Sequence, residues 1–162
     1  MSQTTLQLLH ERNEREDAPR EIHFTAYGTP APKGSTKAFY RPGMRFPVVT
    51  EDNKRTRPWA AIIKDAAIQA VGGPGTTITF QKGAPVVLWV KFYMPRPASL
   101  PRRVQHHTKK PDVDKMTRCV LDSLTEILWV DDSQVVRVIA EKVYAANGEM
   151  PRAEFTVETV FT

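Results

Sequence analysis

Two tight acidic pairs, Asp112/Asp114 and Asp131/Asp132, are the residues of this chain best suited to chemistry. They bracket the stretch KKPDVDKMTRCVLDSLTEILWVDDSQ, from Lys109 to Gln134. No cysteine or histidine stands beside them at ligand spacing. Carboxylate oxygens then set the donor type, and oxygen donors suit hard cations, Mg2+ or Mn2+ rather than Zn2+. Such an ion polarises a phosphodiester, makes a bound water more acidic and stabilises a departing oxygen. Each pair alone also has a plainer reading. An aspartate at a helix start is a common cap or dipole partner, and Asp131-Asp132-Ser133 makes an ordinary turn into a strand.

The element between the pairs must position them. Val113, Met116, Val120, Leu121, Leu124, Ile127 and Leu128 recur at three- and four-residue steps, predicting an amphipathic helix with Lys110-Pro111 at its start. Asp114, Arg118 and Asp122 lie four apart and so form one exposed row on the opposite side. A helix running unbroken from Asp114 to Leu128 separates the acidic pairs by roughly 20 Å. One metal site cannot span that gap. Either the helix breaks, or a two-fold partner brings its Asp132 to Asp112 and Asp114; the second is the favoured expectation, because an antiparallel dimer would create two such sites at once.

Charge is distributed around this acidic centre. The chain of 162 residues carries a net charge of +5. From Lys33 to Arg57 there are seven bases against two acids, and from Pro95 to Lys110 five bases, His106 and His107 and no acid. Lys33, Lys37, Arg41, Arg102, Arg103, Lys109 and Lys110 are the candidate contacts to a nucleic-acid backbone, which requires only reach and charge. Phe39 and Tyr40 either stack on opened bases or pack at a strand edge. One cysteine, Cys119, excludes an internal disulfide and fits a small core position. With no secretory pattern and no apolar run of membrane-spanning length, a cytoplasmic protein without membrane partners is expected.

Residues 1–20 hold too few apolar anchors to offset the entropy of ordering them and read as a mobile tail; residues 21–162 read as one domain. The predicted elements are a strand over 22–28, short strands near 38–40 and 45–50, and a helix capped by Thr56 with Trp59, Ile62, Ile63, Ala66 and Ala70 inward. They continue with a strand over 86–94, the acidic helix, and a hairpin of strands 134–144 and 153–161 turning at Asn147-Gly148. Trp89 and Trp129 are expected in the core. The fold class is α+β, a mixed, largely antiparallel sheet with two main helices.

The run PDVDKMTRCVLDSL, followed by WVDDSQVV, resembles the core signature of the RusA family of Holliday junction endodeoxyribonucleases, common in phages and prophages. The close match covers 110–136, and the order of elements over 22–161 agrees with it. The resemblance implies a homodimer that binds four-way DNA and, with Mg2+, makes paired nicks in opposing strands. It places the essential carboxylates at Asp112, Asp114 and Asp132, with Asp131 beside them. Two positions depart from the family pattern: Arg118 stands where a catalytic lysine is usual, and Lys115 where asparagine is common. Arginine holds a phosphate but does not readily give up its proton. A nuclease for other branched or single-stranded DNA and a non-catalytic junction binder are the rival readings.

Overall fold

The computed structural model describes residues 21–34, 36–51, 53–75 and 78–160, with side chains described at all of these except 36, 37 and 49–51. The predicted N-terminal tail and the Lys37 side chain lie outside the described residues. A four-stranded sheet is built from β1 (Glu21–Tyr27), β4 (Val86–Met94), β5 (Val135–Tyr144) and β6 (Arg152–Thr159), in the order β1-β6-β4-β5. A separate two-stranded sheet pairs β2 (Thr36–Phe39) with β3 (Val48–Glu51). Two helices, α1 (Thr56–Ala70) and α2 (Val113–Leu124), complete the α+β architecture in a single domain.

Strand β4 explains the strand order. Val86, Leu88, Val90, Phe92 and Met94 are all buried on one face, and each of the larger ones contributes about 1.5–3 kcal/mol by leaving water. Val87 is buried too, whereas Trp89 is 45% exposed on the other face, with its Nε1 donating to Glu158 3.3 Å away. So apolar a strand belongs in the sheet interior, flanked on both sides. It pairs antiparallel with β6 and parallel with β5. The predicted β5–β6 hairpin is therefore corrected: β4 lies between those two strands, and the Asn147-Gly148 turn sits in a connection that passes from one side of β4 to the other. Trp89 is likewise corrected from core to surface, while Trp129 is fully buried.

Both helices cover the same sheet face, where Trp59, Ile63 and Ala67 of α1 and Met116, Cys119, Val120 and Leu124 of α2 join the inward residues of β1, β4 and β6 in one core. Ile62 and Ala70 are exposed rather than part of the α1 stripe. Thr56 does not cap its helix. Arg55 is the N-cap residue, without a side-chain hydrogen bond, and the Thr56 hydroxyl donates to the Pro32 carbonyl at 2.8 Å.

The basic segment before α2 is tethered to the outer edge of β5. The Tyr144 amide donates to Gln105 at 2.8 Å and the His107 amide to Lys142 at 3.3 Å. Arg96 is turned inward, with Nε, Nη1 and Nη2 donating to the carbonyls of Ala145, Pro101 and Val104 at 2.8, 3.2 and 2.7 Å. One expected surface charge thus holds the loop's own backbone.

His107 packs against the Tyr144 ring, centroids 4.7 Å apart. Burial, and then the positive charge of Lys142, hold its pKa below the ordinary 6.5. As pH falls, the unfolded chain takes up this proton first, so stability is retained above about pH 6.5 and lost as pH falls toward the folded-state value. The urea midpoint of the wild type should fall between about pH 7 and 5.5, and that of His107→Gln should fall less; equal slopes would remove His107 as the cause.

Candidate active site

Helix α2 raises the first group of site residues. Four residues advance a helix by slightly more than one turn, so Asp114, Arg118 and Asp122 stand in a nearly axial row, all three exposed as expected. Asp112 is the N-cap residue in extended conformation. Its carboxylate makes no cap hydrogen bond and lies 3.6 Å from Lys115 Nζ. The Lys142 ammonium donates to the carbonyls of Lys109 and Pro111, both at 2.7 Å, and so anchors the chain just ahead of Asp112.

The second group arrives by a turn. Helix α2 ends at Leu124, because Thr125 is extended and its hydroxyl reaches the Leu121 carbonyl at 2.9 Å, and Glu126 takes a left-handed conformation with φ 66°. The amides of Ile127 and Leu128 return to Leu124 at 3.1 and 2.9 Å, and Glu126 and Trp129 close the turn at 2.7 Å. The expected helix to Leu128 is corrected. Leu128 keeps its apolar spacing because the turn itself tucks it into the core, fully buried.

This turn sends Asp132 back toward the exposed row of α2. Asp114, Arg118, Asp122 and Asp132 of one chain line a single open concavity of about 650 Å3, together with Lys33, Val113, Thr117, Leu121 and Ala140. The 20 Å separation that called for a partner-supplied Asp132 is therefore corrected: the helix breaks, and Asp114 and Asp132 of one chain line the same concavity. Asp132 is held by the Thr125 hydroxyl and by Trp129 Nε1, the latter 3.2 Å from the same Oδ1. Among the described residues, no hydrogen bond or ion pair engages the side chains of Asp114 or Arg118.

Asp131 faces elsewhere. It lines a different concavity with Lys82 and Gly83, and its Oδ1 accepts from the Ser133 amide at 2.8 Å as the cap of a 3-10 turn, Asp132–Gln134. The Ser133 hydroxyl, and after it the Ser133 amide, hold the Asp131 carboxyl below its ordinary value. Among the basic candidates whose side chains are described, only Lys33 lines the acidic concavity, where its ammonium pairs with Asp122. Arg41 lies over the Phe39 ring at 5.6 Å, and Arg102 lines a concavity against β4 and β5 with His106. Tyr40 is 74% exposed. Arg103, Lys109 and Lys110 are exposed in the segment before α2.

Gln134 is the positioning residue that sequence reasoning passed over. Buried at 7% exposure, its Oε1 accepts from the amides of Val130 and Asp131 at 2.9 and 3.2 Å, and its Nε2 donates to the carbonyls of Gln81 and Ala84 at 2.8 and 3.2 Å. The signal was present: aspartate followed three residues later by glutamine is a capping-box spacing. Gln134→Leu should cost about 2–4 kcal/mol in urea unfolding, because it strands buried backbone groups. A cost under about 1 kcal/mol would show that water replaces the amide.

Every candidate metal donor in the concavity is a carboxylate oxygen. Among the described residues, no three histidine, cysteine or acidic side chains converge closely enough to hold a metal ion by themselves. A cation that keeps several waters and takes one or two carboxylates together with substrate phosphate, as Mg2+ does, fits this donor set. No helix of the described residues is long and apolar enough to cross a membrane.

The uncharacterized protein YqaN of Bacillus subtilis (strain 168) is 31% identical over 149 residues, which is 86% of this chain and 96% of that one. The profile of the family described as Endodeoxyribonuclease RusA matches residues 28–158. That match runs from the segment carrying Lys33 through the acidic helix, the returning turn and β6, and the chain belongs to the RusA endodeoxyribonuclease family.

Proposed function

We propose that this protein is a Mg2+-dependent endonuclease, with Mn2+ as a substitute ion, that resolves four-way DNA junctions by paired nicks and serves recombination and repair. The observation that supports it most is the meeting of Asp114, Arg118 and Asp132 in one open concavity of a chain of this family. Asp114 and Asp132 would hold the cation; Asp112, at the helix start beside Lys115, is not among the residues that line the concavity. When bound, the cation supplies polarisation of the phosphate and a more acidic water. Arg118 binds the non-bridging phosphate oxygens; its charge is permanent, and its planar donors match two oxygens at once. Thr125 and Trp129 hold Asp132 by one oxygen.

Lys37, Arg41, Arg102, Arg103, Lys109 and Lys110 hold the DNA backbone, so binding weakens steeply with salt and carries little sequence information. Paired cuts in opposing strands call for two concavities, hence a homodimer, which sedimentation equilibrium would detect. A non-catalytic junction binder is the second reading; the arginine at position 118, where the family signature carries lysine, favours it.

Synthetic four-way, flap and linear DNA, each with and without Mg2+, separate these readings. Nicks at symmetric positions on the four-way substrate are expected. Asp114→Asn and Asp132→Asn should each slow nicking about 10²–10³-fold while junction affinity stays within a few-fold. Parallel loss of binding and cutting would assign the aspartates to folding instead. Mixed dimers of Asp114→Asn and Asp132→Asn protomers should remain inactive, because each chain builds its own concavity; recovery of one nick per junction would return the site to the dimer interface.

A further inference from the structure

The concavity holds two cations of different chemistry. Arg118 stays protonated under all ordinary conditions, whereas a lysine ammonium can release its proton. Cleavage of a phosphodiester expels an alkoxide, which leaves readily only if it is protonated as it departs. Apart from the aspartates, Thr117 is the other proton carrier lining the concavity, and its hydroxyl is directed back to the Val113 carbonyl at 2.8 Å. Lys33 is left.

Its placement is built rather than incidental. Pro30 and Ala31 are buried, the Pro32 carbonyl accepts from Thr56 of α1 at 2.8 Å, and the Lys33 amide donates to Lys115 of α2 at 3.0 Å. The backbone of Lys33 is thus fixed against the helix that carries Asp114 and Arg118. Its ammonium pairs with Asp122 at the end of the exposed row, and the side chain is 42% exposed, open to an arriving phosphate.

We propose that Lys33 is the general acid of the cleavage assigned above, an inference that rests on that assignment. Water oxygen forms the new bond to phosphorus, the bond from phosphorus to the bridging oxygen breaks, and the Lys33 Nζ proton passes to that oxygen. The attacking water loses its proton to solvent, and Lys33 regains one from solvent, so the sum is hydrolysis. Asp122 orients the ammonium between turnovers and is a positioning residue.

The test compares two junctions, one natural and one with sulfur in place of the bridging leaving oxygen at the mapped cut, each rate taken relative to wild type on the same substrate. A thiolate leaves without a proton. Lys33→Arg and Lys33→Met should nick the oxygen junction about 10²-fold slower and the sulfur junction at close to the wild-type rate. Asp114→Asn should stay slow on both. Lys33→Arg at full rate on the oxygen junction would overturn the proposal, since only charge would matter. Equal defects on both junctions would overturn it as well and leave Lys33 a phosphate-binding or positioning role. If wild type, with Lys33 intact, nicked neither junction in Mg2+, the nuclease assignment would fail and this inference with it.

Discussion

A turn of the chain directly after a short helix decides the chemistry of this protein. Thr125 leaves the helical conformation, its hydroxyl reaches a carbonyl of the last turn, and Glu126 takes the left-handed conformation that reverses the backbone. Left-handed φ costs a non-glycine residue of order 1 kcal/mol, and the burial of Leu128 and Trp129 offsets it. Without this reversal, Asp132 would lie a helix length from Asp114. With it, carboxylates that are far apart along the chain share one solvent-open concavity.

The surroundings of that turn are polar groups with their capacity filled. Gln134 uses both its oxygen and its nitrogen to tie the acidic segment to the backbone at Gln81 and Ala84, and Trp129 places an indole N–H on Asp132 from a fully buried ring. Asp131 and Asp132 are neighbours in sequence with different work. One is spent on capping the 3-10 turn, and the other, the first residue of that turn, lines the concavity.

Basic side chains divide the same way. Arg96 and Lys142 hold backbone carbonyls, Lys33 joins the acidic concavity, and Arg102, Arg103, Lys109 and Lys110 remain outward. A count of positive charge cannot separate these roles. Reach and local partners do, and those depend on neighbours that come from distant parts of the chain.

Much of the framework was legible from residue patterns. Alternation located β1, β4 and β6, three- and four-residue spacing located both helices, and the linked acidic motifs pointed to the family. Local preference is read directly from such spacing, since a helix face or strand face is a property of consecutive residues. What the amino acids could not display was order in space. The end of α2 was hidden because Leu128 is as apolar in a buried turn as it would be in another helical turn. The insertion of β4 between β5 and β6 was hidden because strand neighbours are chosen by how much apolar surface each can bury, not by adjacency in the chain. The sequence by itself determined which groups could do chemistry; only the packed fold decided which of them meet, because meeting requires long-range burial to hold a short-range turn.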